Sequence, residues 1–206
     1  MCGRIAFFKS KKKVINELQI DKWDEYQYSS DYNIVPSNKL YVLTSKKSLR
    51  VVNSMTWGII PKRLKKKRLI NARIETLQQK SSFRNLLKTN RCLIVCDGYY
   101  EWKREDKNKV PYYFSKEDDE IMFFAAIHQN NQFCIITKEA TEKVSSIHHR
   151  EPLIVNQSQI NNYLNIKKDA MEILNSIKPP NLKFYEISKD VNNPVNNDPA
   201  IIKPVN

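Results

Sequence analysis

A chain of 206 residues is long enough to bury a core and fits one domain. Its 35 Lys and Arg stand against 22 Asp and Glu, a net charge of +13 that favours a polyanionic partner; the alternative is that the Lys excess, with abundant Asn and Ile, follows from an AT-rich coding sequence. With three Gly, four Cys and no apolar run near the roughly 20 residues of a bilayer span, the composition argues against a flexible linker, a disulfide scaffold and a membrane protein.

The first residues, MCGRIAFFKSKKK, lack the apolar stretch and cleavage site of a signal peptide, so a cytoplasmic protein with reduced thiols at Cys2, Cys92, Cys96 and Cys134 is expected. Cys2 stands directly behind Met1. Aminopeptidase accepts a small second side chain, and removal of Met1 leaves an amine and a thiol on one residue. Such a 1,2-aminothiol condenses with an aldehyde and closes a five-membered ring around its carbon.

Apolar residues at helical spacing predict helices over 14–20, 81–88, 158–165 and 169–177. Strands are predicted over 41–43, 49–57, 92–97, 99–102, 112–115, 121–126, 133–137, 153–155 and 184–187. The expected class is α+β, a single domain over 1–206 with a mainly β core and short flanking helices. The segment 189–206 is polar and interrupted by proline, and reads as a coil that wraps the domain or frays. The basic runs 9–13 and 61–68 lack the alternation of buried elements and should be exposed.

In LINARIET (69–76), Asn71, Arg73 and Glu75 alternate with Ile70, Ala72 and Ile74, so an extended backbone turns the polar set to one side, towards a wet cleft or the solvent of an edge strand. In RCLIVCDGYYEW (91–102) an apolar strand leads through Gly98 to Glu101, flanked by Tyr100 and Trp102. Aromatic neighbours desolvate a carboxyl and raise its pKa, which suits proton transfer; the competing reading is a glutamate on the rim of a strand. Cys92 and Cys96 share a strand face and read as core rather than as zinc ligands. The segment IHHREPLIV (147–155) holds two of the three histidines; on an extended backbone they face opposite ways, so one of them can serve a site. His128 reads as a strand-end residue.

Taken in order, MCGR, YNIVP, the Trp57-Gly58 pair, NARIET, DGYYEW and HHREP resemble the SRAP family, the SOS-response-associated peptidase domains or abasic-site processing proteins. The resemblance implies an α+β fold around a curved, barrel-like, mainly antiparallel β core. It implies that the mature N-terminal cysteine forms a thiazolidine with the ring-opened aldehyde of an abasic site in single-stranded DNA, shielding the lesion. Residue by residue, it assigns catalysis to Cys2, Asn71, Glu101 and His148, and DNA binding to Arg4, Asn33, Trp57, Arg73, Trp102 and Arg150.

It also implies AP lyase chemistry from a persistent imine. Autopeptidase activity belongs to relatives with a longer leader; here Met1 alone precedes Cys2, and ordinary processing is expected. No cofactor and no metal are called for. The expected partner is single-stranded DNA with an abasic site, bound by a monomer that is nucleoid-associated when on damaged DNA. Two departures stand out: Glu151 puts an acid before Pro152, and Lys189 stands where the family often has Arg, losing the bidentate fork. The competing classes are an N-terminal-nucleophile amidohydrolase and a noncovalent nucleic-acid-binding module.

Overall fold

The computed structural model describes residues 2–23, 29–61, 67–106 and 108–205, with Ser82 by its backbone alone. Met1 and most of the basic run 61–68 lie outside the described residues.

In chain order the strands are β1 (Ile5–Phe7), β2 (Lys22–Trp23), β3 (Asp31–Ile34), β4 (Lys39–Lys46), β5 (Leu49–Trp57), β6 (Asn71–Arg73) and β7 (Arg91–Cys96). They continue with β8 (Gly98–Glu105), β9 (Asn108–Lys116), β10 (Met122–Gln129), β11 (Gln132–Glu139), β12 (Arg150–Pro152) and β13 (Leu182–Glu186). The helices are α1 (Lys11–Leu18), α2 (Ser81–Thr89), α3 (Glu142–Ser145), α4 (Ile160–Leu164) and α5 (Ala170–Ser176).

One sheet has the order β13-β9-β8-β1-β3; the other runs β12-β11-β10-β7-β4-β5-β2, with β6 added beside β11. A short parallel pairing of β11 with the end of β5, Gln132 to Thr56 and Phe133 to Trp57, curls this second sheet into a ring-like wall. β7 buries all six residues of RCLIVC, as a continuous apolar strand covered on both faces should. Tyr99 joins the two sheets by stacking on Phe114 at 4.7 Å and meeting Phe124 edge-on at 5.7 Å.

The α+β class is as expected. α1 begins three residues before the predicted helix because Ser10 caps it, its Oγ accepting from Lys13 N at 3.3 Å, and it ends where Gln19 turns left-handed at φ 47°. β1, β2 and β3 were not predicted; at two to four residues they carry too little periodicity and form by pairing with distant strands. The strand expected over 153–155 lies instead at Arg150–Pro152, paired with Thr137 to Glu139, and Ile154 keeps a single bridge to Phe124. The expected C-terminal coil contains two 3-10 turns, Lys189–Asn192 and Pro199–Ile202, whose Val191 and Ile201 are buried. The tail therefore wraps the domain.

Candidate active site around the N-terminal cysteine

The seam between the sheets receives the start of the chain. β1 pairs antiparallel with β8, Ile5 against Tyr99 and Ala6 against Gly98, and Tyr100 N donates to Arg4 O at 3.0 Å. Gly98 at the start of β8 makes room for the Tyr113 ring of β9, from which a Cβ there would lie 2.3 Å. From the other sheet, β6 runs parallel to β11 and brings Asn71, whose Nδ2 donates to Cys2 O at 2.7 Å. Asn71 Oδ1 is buried with no hydrogen-bond partner among the described residues, so an acceptor points into the site.

Cys2 is fully buried, and burial, reinforced by the charge of Glu101, pushes its thiol pKa far up. Glu101 is 3% exposed, and burial raises its carboxyl from the ordinary 4.5 to about 7. His148 Nε2 lies 3.8 Å from Glu101 Oε2. On the far side of the ring, Nδ1 lies 3.0 Å from both the backbone N and the carbonyl O of Arg150, which fixes the orientation of the imidazole. Burial lowers the imidazole pKa, favouring the neutral ring. The two histidines do not face opposite ways: the backbone turns there, and their rings stack at 4.5 Å. His148 alone of the pair meets Glu101.

The DNA-binding candidates divide. Arg4 lies over the Trp102 ring at 5.7 Å and donates to Asn33 Oδ1 and to Val191 O. Trp102 Nε1 donates to Asn192 Oδ1 at 2.8 Å. Asn33 is buried, and its Nδ2 donates to the carbonyls of Val191, Asn193 and Asn196, so it ties Arg4 and the tail together rather than facing a groove. Trp57, expected at the DNA groove, is a core side chain with no exposure, stacked on Phe133 and donating to Ile70 O at 3.1 Å. Arg150 is likewise buried and forms a fork with Glu75, 2.7 Å and 3.0 Å, while Nη2 also donates to Thr137 O at 2.8 Å. The alternation of LINARIET holds through Arg73, which is exposed, and then breaks into a 3-10 turn at Ile74–Thr76.

Glu151 does not stand as an uncompensated acid, because Lys138 Nζ at 2.9 Å and Thr141 Oγ1 at 3.0 Å hold its carboxylate. Lys189 is exposed at the start of its 3-10 turn. Beside Glu101 and His148 opens a cleft of about 300 Å³, lined also by Trp102, Arg104, Lys109 and Asn192. The last three escaped sequence reasoning. Arg104 follows Trp102 at strand spacing, and Lys109 sits opposite it across β8 and β9, a register that the sequence alone does not print. Among the described residues no three His, Cys, Asp or Glu side chains are grouped as metal ligands would be.

YoqW of Bacillus subtilis, named an abasic site processing protein, is 32% identical over 98% of this chain and 99% of its own. YedK of Escherichia coli, named likewise, is 28% identical over the full length of both chains. A crystal structure of a protein from Bacteroides thetaiotaomicron superposes with a TM-score of 0.82 at 26% identity, covering 99% of this chain and 100% of that one. The model of a family described as SOS response associated peptidase (SRAP) matches residues 1–194. The chain therefore belongs to the SRAP family.

Proposed function

We propose that the protein captures abasic sites in single-stranded DNA as a covalent thiazolidine on Cys2. The observation that carries this reading is the arrangement at the sheet seam: Cys2 held at its carbonyl by Asn71, beside a buried glutamate poised near pH 7 that meets a neutral histidine. The names of the relatives agree with the substrate class.

After Met1 is removed, the α-amine of Cys2, with a pKa of about 7.7 to 8.0, has a usable free-base fraction at neutral pH. It attacks C1′ of the ring-opened sugar, forming a C–N bond while the carbonyl oxygen takes a proton. Glu101, part protonated at neutral pH, gives a proton to the departing hydroxyl, water leaves, and an imine remains. The Cys2 thiol then adds across C=N: the S–C bond forms, the C–N π electrons go to nitrogen, and the thiol proton ends there. One water is lost overall. Ring closure removes the imine on which β-elimination depends, so strand cleavage is suppressed.

His148, whose Nε2 faces Glu101, assists sugar opening, and the free Oδ1 of Asn71 accepts from the α-amine or the sugar hydroxyl. Arg4 and Trp102, with Arg104 and Lys109 on the cleft wall and Arg73 exposed on β6, supply phosphate charge and a stacking face for a strand with no base to read at the lesion.

The test is intact mass before and after incubation with a single-stranded oligonucleotide carrying one abasic site, followed by a heated denaturing gel. The expected product is heat-stable, at the summed mass less one water. Cys2→Ala should abolish it, and Cys2→Ser should leave a borohydride-reducible imine without a durable adduct. A heat-stable adduct formed at full rate by Cys2→Ala would end the proposal.

A further inference from the structure

Arg91 opens β7 and Cys96 closes it, so the two ends of this strand lie about 17 Å apart at roughly 3.4 Å per residue. The chain start crosses the Cys96 end, where Asp97 N donates to Ala6 O at 2.9 Å. At the opposite end opens a concavity of about 610 Å³ whose walls include Lys47, Arg50, Arg91 and Lys167 and contain no Asp or Glu. Ser45, Ser48 and Asn161 add neutral hydrogen-bonding groups. An adjoining cleft of about 400 Å³ shares Arg91, Ile166 and Lys167 and adds Arg84, Lys88 and Lys168. The one carboxylate on its walls, Asp169, caps α5 by accepting from Glu172 N at 2.9 Å.

Several cations elsewhere on the surface are paired with a carboxylate. Lys143 pairs with Glu117 at 3.1 Å, Lys183 with Asp119 at 2.7 Å and Lys116 with Asp118 at 3.0 Å. Arg91, by contrast, is buried and spends its guanidinium on the carbonyls of Leu87, Tyr163, Asn165 and Lys168. Arg50 donates its side-chain protons to Leu18 O and Asn161 Oδ1. Lys47 and Lys167 are exposed and make no ion pair among the described residues. Arg91 is held by neutral carbonyls with Asp169 as a nearby carboxylate, and with the exposed lysines it completes a row of positive charge along two joined clefts, which suits a string of phosphates better than a single anion. Ile166, 56% exposed where the clefts join, offers an apolar face to a sugar or base.

We propose that this trough is a second, noncovalent site for the phosphodiester backbone of a nucleic-acid strand, independent of the lesion and remote from Cys2. It takes from the proposed function only the choice of nucleic acid as the polyanion. The test measures binding of a labelled, lesion-free single-stranded oligonucleotide by fluorescence anisotropy over a salt series, for the native protein and for Lys47→Glu combined with Lys167→Glu. Loss of two single-strand phosphate contacts should flatten the slope of log affinity against log salt by about 1.4 and weaken binding by about tenfold at low salt. Lys47→Gln with Lys167→Gln should flatten the slope similarly with a smaller loss of affinity.

Lys143→Glu with Lys183→Glu changes net charge equally outside the trough and should leave affinity within about twofold. Crosslinking to a short abasic oligonucleotide should proceed at the native rate in both charge-reversed variants. An unchanged slope in the trough variant, or equal weakening by the control pair, would overturn the second site. Failure of the native protein to crosslink, with trough-dependent strand binding intact, would instead sink the Cys2 chemistry and leave the trough standing.

Discussion

The raised carboxyl of Glu101 makes a stability prediction separable from catalysis. Folding carries this group from the ordinary 4.5 to about 7 through burial. Between those values the folded chain binds more protons than the unfolded chain, so stability falls as pH rises. The contribution is fully present below 4.5 and is lost by the time pH passes about 7. At about 1.36 kcal/mol per decade of acidity, ionised Glu101 costs the fold about 3 kcal/mol above neutrality. Glu101→Gln keeps the shape and removes the titration. Its stability relative to the native protein should therefore rise by about 3 kcal/mol between pH 4 and pH 9, or about 6 to 12 °C in Tm for a chain of this size. The assay is thermal melting of both proteins across that pH range, alongside the rate of adduct formation, which the variant should slow. A Tm difference that stays constant with pH would refute the reasoning, whatever happens to the rate.

Other perturbations probe the supports of the site. Gly98→Ala places a methyl 2.3 Å from the buried Tyr113 ring and should destabilise by about 1–3 kcal/mol, read by urea unfolding. Glu75→Gln breaks the charged fork to buried Arg150; with the Glu75 side chain 48% exposed, the loss should be about 1 kcal/mol. Because Arg150 depresses the Glu75 carboxyl pKa, that contribution is present above the ordinary carboxylate range and disappears as pH falls through the depressed value, so native and variant melts should converge in acid. Trp102→Ala removes the ring under Arg4 and should weaken binding to an abasic strand severalfold while sparing unfolding stability, since the side chain is only half-buried.

Much of the architecture was readable because its signals are local. The apolar run in β7, the full extent of β5 and the turn at Gly98 needed no distant partner. Cys2 and Glu101 stood out in the sequence as candidate reactive groups, while Asn71 and His148 were assigned through the family resemblance; the structure brings Asn71 against Cys2 and His148 against Glu101. What stayed hidden depends on contacts across long stretches of chain. Asn33 looked like a loop residue for DNA until its amide met three carbonyls of the tail more than 150 positions away. Arg150 looked like a phosphate ligand because its partner Glu75 lies 75 positions earlier. Trp57 illustrates the ambiguity of aromatics: the same ring stacks on a base or on Phe133, and only the curl of β5 against β11 decides for the latter.

The burial of Cys2 bears on why an amine, and not the more nucleophilic sulfur, should act first. A thiol pushed far above its ordinary range by burial and by Glu101 stays protonated at neutral pH, so it is a poor opening nucleophile. Addition to an imine changes that balance. The electrophile now carries a nitrogen that can take the thiol proton, so no free thiolate has to be stabilised in the dry seam. In the proposed reaction burial thus delays the sulfur without disabling it, and the near-neutral Glu101 is the group assigned to the proton transfers that come before. An exposed cysteine with an ordinary pKa would meet soluble aldehydes and oxidants first; under the proposed reaction, a buried aminothiol is spared that competition.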